Sequence, residues 1–314
     1  MIEERIPSNI IIKSVYKKYT KYLMNPKYFD TIIDKIINYI QKHPNNYDCL
    51  EIEAKLGRFE FKGESVQALE QIQDIFVIPD SLKNSKHGNK FNFNAGINPR
   101  DFYLIWDALE QESKLKNSNI EKLNPQVYQD KIYSSNKRQS FLIENGKILK
   151  EEVIRKENKD NINVRNNGFD FRITCSEEMK TEIDEKIDKQ ENERNKFRVS
   201  YQLSYYRVDL TISKEGTNGQ YSYEVEIELN KLKQELIGQI LDEARIDYIK
   251  RILDRFLQNI FNLYSVLIQD AIYENSIKEE SQSKNNIHYQ QKDIDNIFGN
   301  YIKENIKKKN RNIK

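Results

Sequence analysis

Two stretches of this chain place glutamate at alternate residues, and that pattern limits what the chain can fold into. "CLEIEAKLG" (49–57) sets Glu51, Glu53 and Lys55 on one side of an extended segment and Ile52, Ala54 and Leu56 on the other. "YEVEIEL" (223–229) sets Glu224, Glu226 and Glu228 against Val225, Ile227 and Leu229. A period of two marks a strand, because successive side chains point to opposite faces. Glutamate is depleted in strands, and like charges on one face repel. The segments therefore predict strands whose acidic face has a cation in front of it.

More alternating segments lie between them. "FDFRITCSEE" (169–178) puts Asp170, Arg172, Thr174, Ser176 and Glu178 on one face. "KFRVSYQLS" (196–204) does so with Lys196, Arg198 and Ser200, and "RVDLTIS" (207–213) with Arg207, Asp209 and Thr211. Upstream, Asn145-Gly146 joins "SFLIE" to "KILKEEVIRK", a strong hairpin signal, and Lys150 and Glu152 share a face. Residues 157–167 and 179–195 read as polar connectors.

A sheet with one wet face explains any single strand. It does not explain the set. Glutamate repeats on one face, acidic and basic residues segregate by strand, and the apolar faces demand a packing partner. Closing the sheet with its charged faces inward satisfies all three. The lumen would then hold carboxylates, which suit Mg²⁺ or Mn²⁺, beside Lys and Arg, which suit phosphate oxygens. That combination fits a metal-bound polyphosphate.

Helices flank the strands. Asn25-Pro26 caps a segment with Phe29, Ile32, Ile33, Ile36, Ile37 and Ile40 at helical spacing, stopped by His43-Pro44. Asn98-Pro99 starts another, with Phe102, Ile105, Trp106 and Leu109 on its apolar face. From 231 a third carries Ile249, Leu253, Phe256, Ile260, Leu263 and Leu267. Residues 1–24 read as an arm, 62–95 as a loop-rich insertion, and 275–314 as a polar, disordered tail ending in "KENIKKKNRNIK". The expected organisation is one catalytic domain over 25–274 between arm and tail.

Composition excludes several classes. Of 314 residues, 51 are Lys or Arg and 49 Asp or Glu, a net charge of +2, so any polyanion site must be local. Cys49 and Cys175 form no disulfide framework and lack metal-ligand spacing, which suits a reducing compartment. No apolar run is long enough to span a bilayer, and the reading is of a soluble intracellular protein without a membrane role. His43, His87 and His288 show no spacing that suggests a site, and Trp106 reads as core. Lys307–Lys309 and Arg311 suit either a solvated tail or a nuclear or RNA-contacting segment.

The ordered set "EIEAKLG", "ILKEEV", "FDFRITCSEE", "KFRVSY", "RVDLT" and "YEVEIELN", with "FNFNAGINPRDFYLIWDALE" (91–110), resembles the fungal and protozoal mRNA 5′-triphosphatases of the triphosphate tunnel metalloenzyme superfamily. The resemblance spans roughly 45–270. It implies an α+β fold: a closed eight-stranded antiparallel β-barrel, the triphosphate tunnel, supported by flanking α-helices. It implies Mg²⁺- or Mn²⁺-dependent hydrolysis of the γ-phosphate of triphosphate-ended RNA, the first step of cap formation.

By the same resemblance, Glu51, Glu53 and Glu228 match metal ligands, with Glu224 and Glu226 as neighbours in that set. Lys55, Arg138, Lys150, Arg172, Lys196 and Arg198 match phosphate-binding positions. Glu178 matches the glutamate that orients the attacking water, or Glu177 if the register slips by one. The expected catalytic set is Glu178, Lys196, Arg198, Arg172, Lys150 and Glu226, supported by Arg207, Asp209 and Thr211. Implied partners are the 5′ end of nascent RNA, a separate mRNA guanylyltransferase (the chain has no Lys-x-Asp-Gly motif) and a second copy of the chain. The implied location is the nucleus. Two alternatives share the fold: a hydrolase of tripolyphosphate, thiamine triphosphate or nucleotides, and a non-catalytic polyphosphate-binding subunit.

Overall fold

The structure is a computed structural model that describes residues 26–61, 76–78, 91–165, 170–216 and 219–280. The expected arm, most of the expected insertion and the end of the expected tail lie outside the described residues.

Eleven strands and four helices occur among the described residues. They are α1 (Pro26–Lys42), β1 (Leu50–Phe61), β2 (Phe76–Val77), β3 (Phe91–Ala95), α2 (Pro99–Ser113), β4 (Glu121–Lys122), β5 (Gln126–Tyr133), β6 (Lys137–Glu144), β7 (Lys147–Arg165), β8 (Asp170–Lys180), β9 (Gln190–Gln202), β10 (Arg207–Glu215), β11 (Tyr221–Glu228), α3 (Leu232–Leu236) and α4 (Glu243–Glu280).

Eight strands close a ring, in the order β1, β8, β7, β6, β5, β9, β10, β11 and back to β1, all antiparallel. The short strands extend it: β3 pairs with β1, β2 with β7, and β4 with β9. Closure leaves no long unpaired edge within the ring, which removes the usual template for aggregation.

The apolar strand faces point outward and the helices cover them. Ile52, Ala54 and Leu56 of β1, Phe171, Ile173 and Cys175 of β8, Val208, Leu210 and Ile212 of β10, and Val225 and Ile227 of β11 are buried in one core. Every apolar position expected for α1 and α4 joins them, as do Phe102, Ile105 and Leu109 of α2. Phe29 stacks on Phe261 at 5.3 Å, and the Tyr264 hydroxyl donates to Asp170 O at 2.9 Å, tying α1 to α4 and α4 to the barrel. Trp106 is only partly buried and stacks on Tyr103.

Local signals act as their chemistry dictates. Asn98 caps α2 by accepting from the Asp101 amide at 2.9 Å, ahead of Pro99. Asn145 and Gly146 both adopt positive φ, 52° and 75°, as the two-residue hairpin between β6 and β7 requires. Gly57 admits no side chain, because a Cβ there would lie 2.3 Å from Asn94 O on β3.

Three readings of the sequence are corrected. Residues 157–165 continue β7, and 190–195 begin β9, instead of forming connectors. Ile162 and Val164 face the core while Asn161 and Asn163 face the lumen, so the alternation was present but carried by weak strand formers. The 62–95 insertion contributes β2 and β3 to the sheet. Helix α4 continues past 274 to Glu280.

Candidate active site

Strand pairing fixes which side chains meet inside the ring. On β1 and β11, Glu53 stands opposite Glu228 and Lys55 opposite Glu226. On β1 and β8, Glu51, Glu53 and Lys55 stand opposite Ser176, Thr174 and Arg172. On β10 and β11, Arg207, Asp209 and Thr211 stand opposite Glu228, Glu226 and Glu224. Across β9 and β10, Arg198 meets Thr211 and Lys196 meets Ser213.

Ion pairs link these groups into a continuous network. Arg138 reaches Glu178 at 3.5 Å, and Lys156 reaches Glu178 and Glu53 at 3.4 Å and Glu51 at 2.5 Å. Lys55 lies 3.6 Å from Glu53 and 2.5 Å from Glu226. Arg198 joins Glu226 at 3.3 Å to Asp209 at 3.1 Å, and donates to Thr211. Arg207 completes the path from Asp209 to Glu228, at 2.9 and 2.5 Å. A second network joins Lys196 and Arg194 to the fully buried Asp130, at 2.6 and 3.4 Å, and Arg194 to Glu224 at 3.4 Å.

Electrostatics follow burial and neighbours. Burial alone would raise the Glu226 carboxyl, but Lys55 and Arg198 outweigh it and hold the group well below the usual range. Glu228 goes the other way: burial, reinforced by Asp209, Glu51 and Glu178 against the opposing Arg207, pushes it up to about 7. Burial takes Lys196 down to about 8, against the pull of Asp130 and with Arg138, Arg198 and Arg194 repelling it. Lys156 and Lys55 are lowered by burial but raised further by the glutamates, so both stay cationic.

Glu51, Glu53, Glu226 and Glu228 thus gather in the lumen with Lys55, Arg198, Arg207, Asp209 and Thr211. Glu224 sits one row away, held by Arg194 and by Ser213. Arg172 donates to Asn163 at 2.8 Å and stacks on Phe93 at 4.5 Å, with no described carboxylate in ion-pair range. Lys150 is 62% exposed and pairs with Glu152 at 3.0 Å, away from the lumen glutamates. Leu50, buried in the core, pairs with Glu177, and the strand alternation then turns Glu178 inward and Glu177 outward.

Three lumen residues escaped the sequence reading. Lys156 has the same parity as Lys150 and Glu152 in "KILKEEVIRK", the signal that could have found it. Arg194 has the parity of Lys196 and Arg198 but fell in a presumed connector. Asp130 lies on β5, whose "QVYQDKIY" shows no clean alternation.

The carboxylates offer only hard oxygen donors, and their mutual repulsion at Glu53, Glu228 and Glu51 is what a divalent cation relieves, so the donor set fits such an ion. Among the described residues no three metal-ligating side chains converge on one point; ammonium groups stand between the carboxylates. A cavity of about 210 Å³ opens at this end, lined by Glu51, Arg138, Glu152, Glu178, Glu228 and Lys233.

The model of the family described as "mRNA capping enzyme, beta chain", the mRNA triphosphatases, matches residues 10–267. The chain belongs to this family. It is an mRNA 5′-triphosphatase by that membership, a hydrolase of mRNA capping. Among solved structures it is similar to the S. pombe Pct1 RNA triphosphatase, at 16% identity and TM-score 0.60, covering 79% of this chain and 96% of that one. It is also similar to Pct1 in complex with the Spt5 CTD, at 17% identity and TM-score 0.61, covering 79% and 97%. These likenesses support the tunnel fold. No curated protein matches the sequence. No described helix is long and apolar enough to cross a membrane.

Proposed function

We propose that this triphosphatase removes the γ-phosphate of triphosphate-ended RNA with a divalent metal, Mg²⁺ or Mn²⁺, bound at the glutamates. Water adds to the γ-phosphorus, the bond to the β–γ bridging oxygen breaks, and diphosphate-ended RNA and phosphate leave. The observation that carries this reading is that the glutamates of β1 and β11 share one closed lumen with Lys196 and Arg198 of β9 and Arg172 of β8.

Glu51, Glu53 and Glu228 would hold the metal, with Glu226 and Glu224 beside them. A bound divalent ion would neutralise phosphate charge and polarise the γ-phosphoryl group. Lys196, Arg198 and Arg172 grip phosphate oxygens, and Lys55, Arg138, Lys156 and Arg194 supply further positive charge. Charge in phosphoryl transfer spreads over the equatorial oxygens, so fixed cations in a water-poor lumen stabilise it without reorganising. Glu178 holds the water in line. Arg207, Asp209 and Thr211 keep Arg198 in place; Asp209 also accepts from Ser200 at 2.7 Å. Lys150, at the rim, guides the incoming end. The diphosphate product is then the acceptor for a separate mRNA guanylyltransferase in the nucleus.

The test compares γ-labelled triphosphate-ended RNA with labelled tripolyphosphate and free nucleotide, each with Mg²⁺, Mn²⁺ or EDTA. Preferred release from RNA, lost in EDTA, supports the reading. Preference for tripolyphosphate moves the substrate to small polyphosphates. No release from any of them overturns it.

A further inference from the structure

One buried carboxylate has no part in the tunnel chemistry. Glu177, its side chain 2% exposed, points away from the lumen. His43 Nδ1, just past the end of α1, lies 2.9 Å from Glu177 Oε1, and Tyr39 stacks on the His43 ring at 4.5 Å. The Asn158 side-chain amide donates to Glu177 Oε2 at 2.8 Å.

Asn158 occupies the bulge of β7. Glu157 pairs with Glu177 and Asp160 with Cys175, so β7 spends three residues where β8 spends two. That extra residue resets the alternation. It lets Lys156, opposite Glu178, and Asn161, opposite Thr174, both face the lumen, which an unbroken strand would forbid. Asn158 has φ of 47°, uncommon outside glycine, and its bond to Glu177 fixes it there. On the other side of the same residue pair, the Glu178 amide donates to Cys49 O at 2.8 Å, two residues before Glu51.

We propose that Glu177, bonded to Asn158 and lying beside His43 outside the barrel wall, is a positioning residue that holds the β7 bulge and so sets Lys156 against Glu178 inside. This rests on the triphosphatase reading for its effect on rate. A buried carboxylate between an imidazole and an amide is costly to retain for packing alone, and an apolar side chain would fill the space as well.

The test uses the full chain with Glu177→Ala, Glu177→Gln, Asn158→Gly and, as a packing control on the same strand face, Cys175→Ala. It reads kcat and KM on triphosphate-ended RNA, and amide hydrogen exchange at 156–160 and 176–180. Glu177→Ala is expected to lower kcat about tenfold, with KM within about twofold, and to speed exchange at Lys156 and Glu178. Glu177→Gln recovers most of the loss, since its carbonyl accepts from Asn158 and its amide can donate to His43. Asn158→Gly, which suits the positive φ and removes only the tie, lowers kcat in the same direction and decides the matter if Glu177→Ala does not fold. Cys175→Ala lowers Tm and leaves kcat alone. Wild-type kcat and exchange in Glu177→Ala, or in Asn158→Gly, overturn the proposal. If the wild-type chain releases no phosphate, the triphosphatase reading fails, and the exchange data alone still decide whether Glu177 holds Lys156 and Glu178.

Discussion

Glu53 and Glu228 face each other directly across β1 and β11, each bridged to a different cation: Glu53 to Lys55 and Lys156, Glu228 to Arg207. Two carboxylates opposed in a sheet are unfavourable unless a cation lies between them. The lysines and Arg207 meet part of that need. A divalent ion would meet it while freeing those cations for phosphate.

Metal should therefore stabilise the fold as well as support turnover. A metal ion at a hundredfold excess over its Kd is expected to add about 2.7 kcal/mol, read as a rise in Tm with Mn²⁺ or Mg²⁺. Glu53→Gln should abolish most of that rise. An equal rise in wild type and variant would place the ion elsewhere.

Lys156 and Lys150 share a face of β7 but not an environment. Lys156→Ala is expected to lower kcat/KM by about a hundredfold, because it strips a fixed cation from three lumen glutamates. Lys150→Ala, which breaks one exposed pair, should change it by no more than about threefold. Steady-state kinetics on triphosphate-ended RNA distinguish them.

Lys196 sets an upper pH limit. Its ammonium, brought down to about 8, is charged below that value and neutral above it. kcat/KM should fall as pH rises through about 8 in the free enzyme. Asp130→Asn removes the charge that supports the ammonium, so the alkaline limb should move to lower pH. For stability the sign is opposite: above pH 8 the unfolded chain, with its ordinary lysine, binds more protons, so this residue's contribution rises with pH until both states are neutral.

The outer core carries the fold. Phe171, fully buried against Phe261 and Tyr264, should cost about 3–5 kcal/mol as Phe171→Ala. Gly57→Ala forces a Cβ onto Asn94 O and should cost about 1–3 kcal/mol by overpacking. Chemical denaturation measures both.

The barrel was legible because its two faces differ so sharply. Glu226 beside Ile227, or Arg198 beside Val199, announces a strand with a charged side and a core side, and the closed ring uses both as expected. The far halves of β7 and the start of β9 were less legible. Their lumen faces are Asn161, Asn163 and Arg194, which read like a loop when their partners are unknown. The bulge at 157–160 was not legible at all, since nothing local marks Asn158 as the residue with positive φ. Without it the parity count could not place Lys156 and Asn161 on the same face. The choice of Glu178 over Glu177 was legible in the alternation of "FDFRITCSEE", and the pairing of core-facing Leu50 with Glu177 agrees with it.

The most direct measurement is the anomalous scattering of Mn²⁺ in crystals of the chain grown with a non-hydrolysable triphosphate. The expected result is a single strong peak coordinated by Glu51, Glu53 and Glu228, with phosphate oxygens between it and Lys196, Arg198 and Arg172. A peak away from these glutamates, or triphosphate bound in the lumen with no metal at all, would contradict it.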